Sequence, residues 1–141
     1  MPALQPTTEQ MGAFAKDGDQ KTPIFMINLL KFHDHAQYKE SDAEYGEEIS
    51  GEAAYSRYGK GLEALAKDPS IGLSIVFAGK VNRFLIGGDE DWDRVLVVKY
   101  PTRQHMLTMM RDPRYQEAHR HREAGLKHQD LIETYDLANA G

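Results

Sequence analysis

Hydrophobic positions change period along this chain, and the changes mark its elements. Across residues 23–32, Phe25, Ile27 and Leu29 alternate with Met26, Asn28 and Leu30, so a strand over about 24–32 is apolar on both faces. That is the pattern of a central strand covered on both sides. A helix is predicted from about 52 to 67, with Ala54, Tyr58, Leu62 and Leu65 on one side, and Pro69 and Gly72 end it. Residues 73–81 read as a second strand, with Leu73, Ile75, Phe77 and Val81 sharing a face. Phe84, Leu85 and Ile86 form a short apolar patch, and residues 87–91 a turn. Residues 92–100 are a third strand with a β-branched centre, stopped by Pro101. Thr102 can cap a short helical piece over 105–110. Asp112 and Pro113 restart a helix that runs to about Lys127, and residues 130–136 are the last strand.

Two stretches fall outside this pattern. Residues 1–22 read as an arm with a short helix, where Thr7 and Gln10 make a capping box and Met11, Phe14 and Ala15 form one apolar stripe. The stripe is expected to pack on the main domain, 23–141, or on a second subunit. Residues 16–23 are a polar link. Residues 33–50 are long, acidic and weakly periodic, either a solvated loop or a cover for a pocket mouth.

The order β-α-β-β-α-β is that of an α+β, ferredoxin-like sandwich: a four-stranded antiparallel sheet with both helices on one face. Because strands one and three are apolar on both faces, the second face also needs a cover. A second copy of the same sheet supplies it most simply, so a homodimer is expected.

Composition narrows the function. A chain of 141 residues with net charge -5 and no cysteine has no Lys/Arg-rich face for nucleic acid and no thiolate chemistry. No run approaches a membrane span, and the first residues lack a basic segment followed by an apolar one. A cytoplasmic protein, with no nucleic-acid and no membrane partner, is expected.

The candidate chemistry sits on helix 113–127. Tyr115, Ala118, His119, Arg122 and Leu126 lie within one stripe about 100° wide, so a phenol, an imidazole and a guanidinium face inward among apolar groups. Arg122 can hold a carboxylate or an enolate, His119 can move a proton, and Tyr115 can donate to developing negative charge. Alternatively, Arg122 pairs with Asp112 or Glu133 and locks the helix, and His119 is a satisfied boundary residue. Asn28 either fixes a ligand carbonyl or bonds neighbouring backbone. Tyr58, on the inward stripe of the first helix, is either core or a ligand contact. Lys31 is expected to be solvated. His33 and His35 form an H-x-H pair without a second ligand pair, so no metal site is expected; His119 or His105 could serve as a haem axial ligand, yet nothing marks either, and no cofactor is expected.

The segment 23–32, Tyr58-Gly59, Trp92-Asp93 before residues 95–101, residues 110–115 and residues 122–126 occur together in an order that resembles the domain-of-unknown-function thirteen-thirty family, within the dimeric α/β barrel superfamily. The resemblance implies a bacterial dimer whose two sheets form a barrel-like core. It also implies kinship with cofactor-independent monooxygenases, lactone isomerases, polyketide cyclases, and haem enzymes such as chlorite dismutase. The function expected from residues and resemblance together is a small-molecule-binding protein or cofactor-free enzyme acting on an apolar carbonyl compound. The alternative is a non-catalytic dimeric binding or interaction module with a structural Tyr-His-Arg cluster.

Overall fold

A computed structural model describes residues 4–16 and 21–138. Residues 17–20 of the polar link and the last three residues of the tail lie outside that range. The elements are α1 (Thr8–Lys16), β1 (Ile24–Phe32), α2 (Gly51–Ala66), β2 (Ser74–Lys80), β3 (Arg94–Tyr100), α3 (Arg103–Arg111), α4 (Pro113–Gly125) and β4 (Leu126–Thr134). All strand pairs are antiparallel, in the order β2-β3-β1-β4, so β1 and β3 are central as their two-sided apolarity requires. The fold is ferredoxin-like, α+β, as the element order predicts.

The starts of the helices follow their caps. Thr7 Oγ1 accepts from Gln10 N at 3.0 Å while Gln10 Oε1 accepts from Thr7 N at 2.9 Å, a reciprocal capping box. Thr102 caps α3, and Asp112 caps α4 with Pro113 in the first turn. Gly72, at φ 72°, supplies a left-handed turn between α2 and β2 that a side chain would strain.

Burial alternates along β1. Ile24, Met26, Asn28, Leu30 and Phe32 are buried under the helices with Leu96, Val98 and Tyr100 of β3, while Phe25, Ile27 and Leu29 face the other way and stay partly exposed. On that second face Phe77, Val97, Ile27 and Ile132 pair in one row across all four strands. Phe77 is 57% exposed and Ile132 45%.

Four sequence expectations need correction. The last strand begins at Leu126 rather than at 130, because Gly125 ends α4 and the next residue is already extended. Leu126 is therefore a strand residue, not part of the α4 stripe. Ile75 and Phe77 do not share a face: Ile75 pairs with Val98 and Phe77 with Val97, so a bulge at Val76 inverts the alternation. Lys31 is not simply solvated, since its Nζ lies 2.8 Å from Asp91 and 3.3 Å from Asp93.

The loop 33–50 is tied to α2 and α4. Gln37 N donates to Ala124 O, Arg57 pairs with Glu47, and Arg120 pairs with Glu44. The Tyr38 hydroxyl lies 2.6 Å from His121 Nδ1.

These contacts set an acid sensitivity. Burial lowers the pKa values of His33, His119 and His121, with the charges of Lys127, Arg122 and Arg120, respectively, acting in the same direction. The unfolded chain takes up protons near pH 6.5 that the folded chain resists, so stability present above that pH is lost as pH falls through the folded values. The Arg120 hydrogen bond holds Glu44 at about 2 and Arg114 holds Asp68 at about 2, which extends the loss below pH 4.5. Urea midpoints are expected to fall from pH 7.5 to 5.5 and again to 3.5. A flat profile between 7.5 and 5.5 would contradict the histidine part.

Candidate functional site

A cavity of about 800 Å³ lies between β4, α3, α4 and the N-terminal helix, and Tyr115, His119 and Arg122 all line it. Its walls are mainly apolar, with Met11, Met26, Met106 and Met110 among them, a flexible lining that adapts to ligand shape. The α1 stripe supplies one wall: Phe14 packs on the main core, and the Arg103 guanidinium stands 5.8 Å from its ring centroid.

The carboxylates proposed for Arg122 have other partners. Asp112 pairs with Arg114 at 2.8 Å, and Glu133 pairs with Arg103 at 2.5 Å. Arg122 Nη2 donates instead to Leu4 O and to Gln129 Oε1, each at 2.6 Å, and its Nη1 is buried without a hydrogen-bond partner. Among the described residues no carboxylate pairs with this cation.

Asn28 explains how Gln129 is oriented. Asn28 Nδ2 donates to the Met26 and Leu96 carbonyls, both at 3.2 Å, so its Oδ1 must face outward as an acceptor. Gln129 Nε2 donates to that oxygen at 2.7 Å, which turns Gln129 Oε1 toward Arg122. Asn28 thus bonds neighbouring backbone, and it reaches the cavity wall only through Gln129.

His119 Nδ1 lies 2.7 Å from Glu123 Oε1, one helical turn on, and Glu123 also meets Lys39 at 3.1 Å. With Nδ1–H donating to the carboxylate, Nε2 carries the lone pair. Burial lowers the His119 pKa, the Arg122 charge lowers it further, and Glu123 opposes both. The imidazole is therefore neutral at pH 7. The Tyr115 ring lies 5.7 Å from it between centroids. Tyr58 sits behind Tyr115, ring centroids 6.1 Å apart, and packs with Tyr55 in a buried aromatic cluster. Burial, reinforced by Tyr115 and Tyr55, raises its phenol pKa well above the usual value, so Tyr58 stays neutral and does not line the cavity.

Sequence reasoning did not find Glu123 or Gln129 as part of this cluster. Glu123 had a signal, its four-residue spacing from His119. Gln129 had none while the last strand was placed one residue beyond it. His33 and His35 lie in the 33–50 loop, and among the described residues no group of three His, Asp or Glu side chains is placed to hold a metal ion. Among the described residues no helix is long and apolar enough to cross a membrane.

The sequence profile of a domain of unknown function (DUF1330) matches residues 45–133, and the chain belongs to that family. The fold is similar to the crystal structure of RPA0582, a protein of unknown function from Rhodopseudomonas palustris, at 32% identity and a TM-score of 0.83, over 97% of this chain and 98% of that one. A methylated form of RPA0582 matches at 33% identity and 0.83 over the whole of both chains. A dimeric protein of unknown function with a ferredoxin-like fold, from Bacteroides fragilis, matches at 13% identity and a TM-score of 0.51, over 84% of this chain and 100% of that one. No curated protein matches the sequence.

Proposed function

We propose that this DUF1330 member binds an apolar carbonyl compound in the α1–α4 cavity and removes a proton from the carbon beside the carbonyl. The observation that supports this most is a neutral His119, held through Nδ1 by Glu123, beside the uncompensated Arg122 guanidinium in an apolar cavity. His119 Nε2 takes the proton, and the electron pair moves onto the carbonyl oxygen as an enolate. Tyr115 donates to that oxygen, and the positive charge of nearby Arg122 favours it. Return of the proton at another carbon gives isomerisation; attack by the enolate on a second electrophilic carbon gives cyclisation. The chain's own groups suffice for the proton transfer, so the reading needs no cofactor.

The test is exchange of α-protons for deuterium in a panel of apolar ketones, followed by NMR. His119→Ala is expected to lower the rate about 10²-fold or more, and Glu123→Gln to lower it less. The rate should rise with pH and level off below the ordinary histidine value of 6.5, because the His119 pKa is lowered. Equal exchange by the parent chain and His119→Ala across the panel would reject catalysis. The non-catalytic alternative is favoured by one observation, the Arg122 bonds to Leu4 and Gln129, which tie arm, helix and sheet together.

We also infer that the exposed sheet face pairs with the same face of a second copy. The row Phe77, Val97, Ile27 and Ile132 supports this, as does the dimeric state of the Bacteroides fragilis protein.

A further inference from the structure

Arg122 stands apart from the other arginines that face the fold. Arg57, Arg94, Arg103, Arg114 and Arg120 each meet a carboxylate. Among the described residues Arg122 meets two neutral oxygens, both on Nη2, and its buried Nη1 has no partner. A guanidinium is a fork built to donate from both ends, and a carboxylate has the matching pair of acceptors. Neutral acceptors leave the charge itself uncompensated in an apolar wall. One of these acceptors is backbone: the carbonyl of Leu4, which precedes α1 and belongs to the segment that closes one side of the cavity.

We propose that the ligand of this site is an apolar carboxylate, and that the Leu4 carbonyl holds a position one carboxylate oxygen takes. This rests on the cavity being a ligand site, and it adds the charge of the ligand and the way the arm responds to it. One oxygen of the carboxylate satisfies Nη1. The other replaces the Leu4 carbonyl on Nη2, while Gln129, fixed from behind by Asn28, keeps its own bond. The other arginine at the cavity, Arg103, is neutralised by Glu133, so the negative end of a ligand is directed to Arg122 and its apolar body to the methionine-lined wall. Ligand binding then releases the arm's hold on α4. The arm is a competitor that a carboxylate displaces and a neutral ketone does not.

Octanoate, octanamide and 2-octanone serve as probes in calorimetric titration of the full chain, since they share a chain length and differ at the head. Octanoate is expected to bind about 10- to 100-fold tighter than octanamide, the range of one or two charge-assisted hydrogen bonds. Arg122→Met should erase that preference and Arg122→Lys should retain part of it. If Arg122→Met does not fold, the lysine variant still carries the test, because a point charge without the fork must weaken octanoate and leave 2-octanone unchanged. Hydrogen exchange over residues 4–16 is expected to speed up when octanoate saturates the chain and not with 2-octanone. Equal affinities for all three probes, unaffected at Arg122, would overturn the carboxylate assignment and leave the cavity reading standing. No binding of any probe would overturn both. Octanoate binding with unchanged or slower exchange in the arm would overturn the displacement.

Discussion

Gly125→Ala is expected to lower unfolding free energy by about 3 kcal/mol, far more than one methyl group usually costs. A Cβ at Gly125 would run into the Gly51 carbonyl oxygen and would stand 2.9 Å from the Tyr55 amide nitrogen. The contact is reciprocal. A Cβ at Gly51 would meet the Gly125 carbonyl at 2.6 Å and the His33 nitrogen at 2.8 Å. These neighbours are backbone, and both glycines sit where loop 33–50, α2 and the α4–β4 junction are laced by hydrogen bonds from His33 N to Gly125 O and from Gly51 N to His33 O. No side chain can rotate away, so α2 and α4 must separate. That movement carries Tyr115, His119 and Arg122 with it, and ligand binding should weaken along with stability. Gly59→Ala is the control: it lies in α2 with nothing within 4 Å of its would-be Cβ, so it should stabilise by about 0.5–1 kcal/mol through helix propensity. Urea unfolding of the three chains measures both effects. A Gly125→Ala chain within about 0.5 kcal/mol of the parent would show that the two helices do not approach this closely.

That glycine contact also marks the limit of what the sequence discloses. Local signals were legible: β1 was read to its end residues, and the Thr7–Gln10 box and the Asp112–Pro113 start were visible because cap chemistry acts within three or four residues. The two-sided apolarity of β1 and β3 placed them at the sheet centre. What failed depended on distant partners. The sequence reads as helix on to about Lys127 and as strand only from 130, yet the Gly51–Gly125 approach and pairing with β1 make Lys127, His128 and Gln129 strand. The bulge at Val76 is set by pairing with β3 and inverts a face that alternation alone assigns wrongly. The inward stripe of α4 was legible as a polar triplet, because helical period is local. Which partner Arg122 takes was not, since Leu4 lies 118 residues away in sequence and both nearer carboxylates are claimed by other arginines.

On the facing-sheet pairing proposed above, the parent chain is expected to run as a dimer, at twice the 16.0 kDa chain mass, and Phe77→Glu and Ile132→Glu each as a monomer at that mass in light scattering after size exclusion. The two residues close the ends of the row Phe77, Val97, Ile27 and Ile132, where the sheet turns its second apolar face outward. In a two-fold interface each substitution appears twice, and each new carboxylate is carried into apolar surroundings without a partner. The penalty is several kcal/mol per dimer, enough to weaken association about 10³-fold or more. Both side chains are about half exposed in the single chain, so a glutamate there keeps its water when the subunits part, and monomer unfolding should change by less than about 1 kcal/mol. That separation of effects distinguishes a subunit interface from a face that is merely apolar. Ile75→Glu sharpens the comparison. Ile75 is 42% exposed, close to Ile132, but the bulge at Val76 sends it to the helix side of the sheet. If the open face is the interface, Ile75→Glu leaves the dimer intact while Phe77→Glu abolishes it. If Ile75→Glu dissociates the chains and Phe77→Glu does not, the subunits pair along the β2 edge and helix side, and the facing-sheet arrangement is wrong.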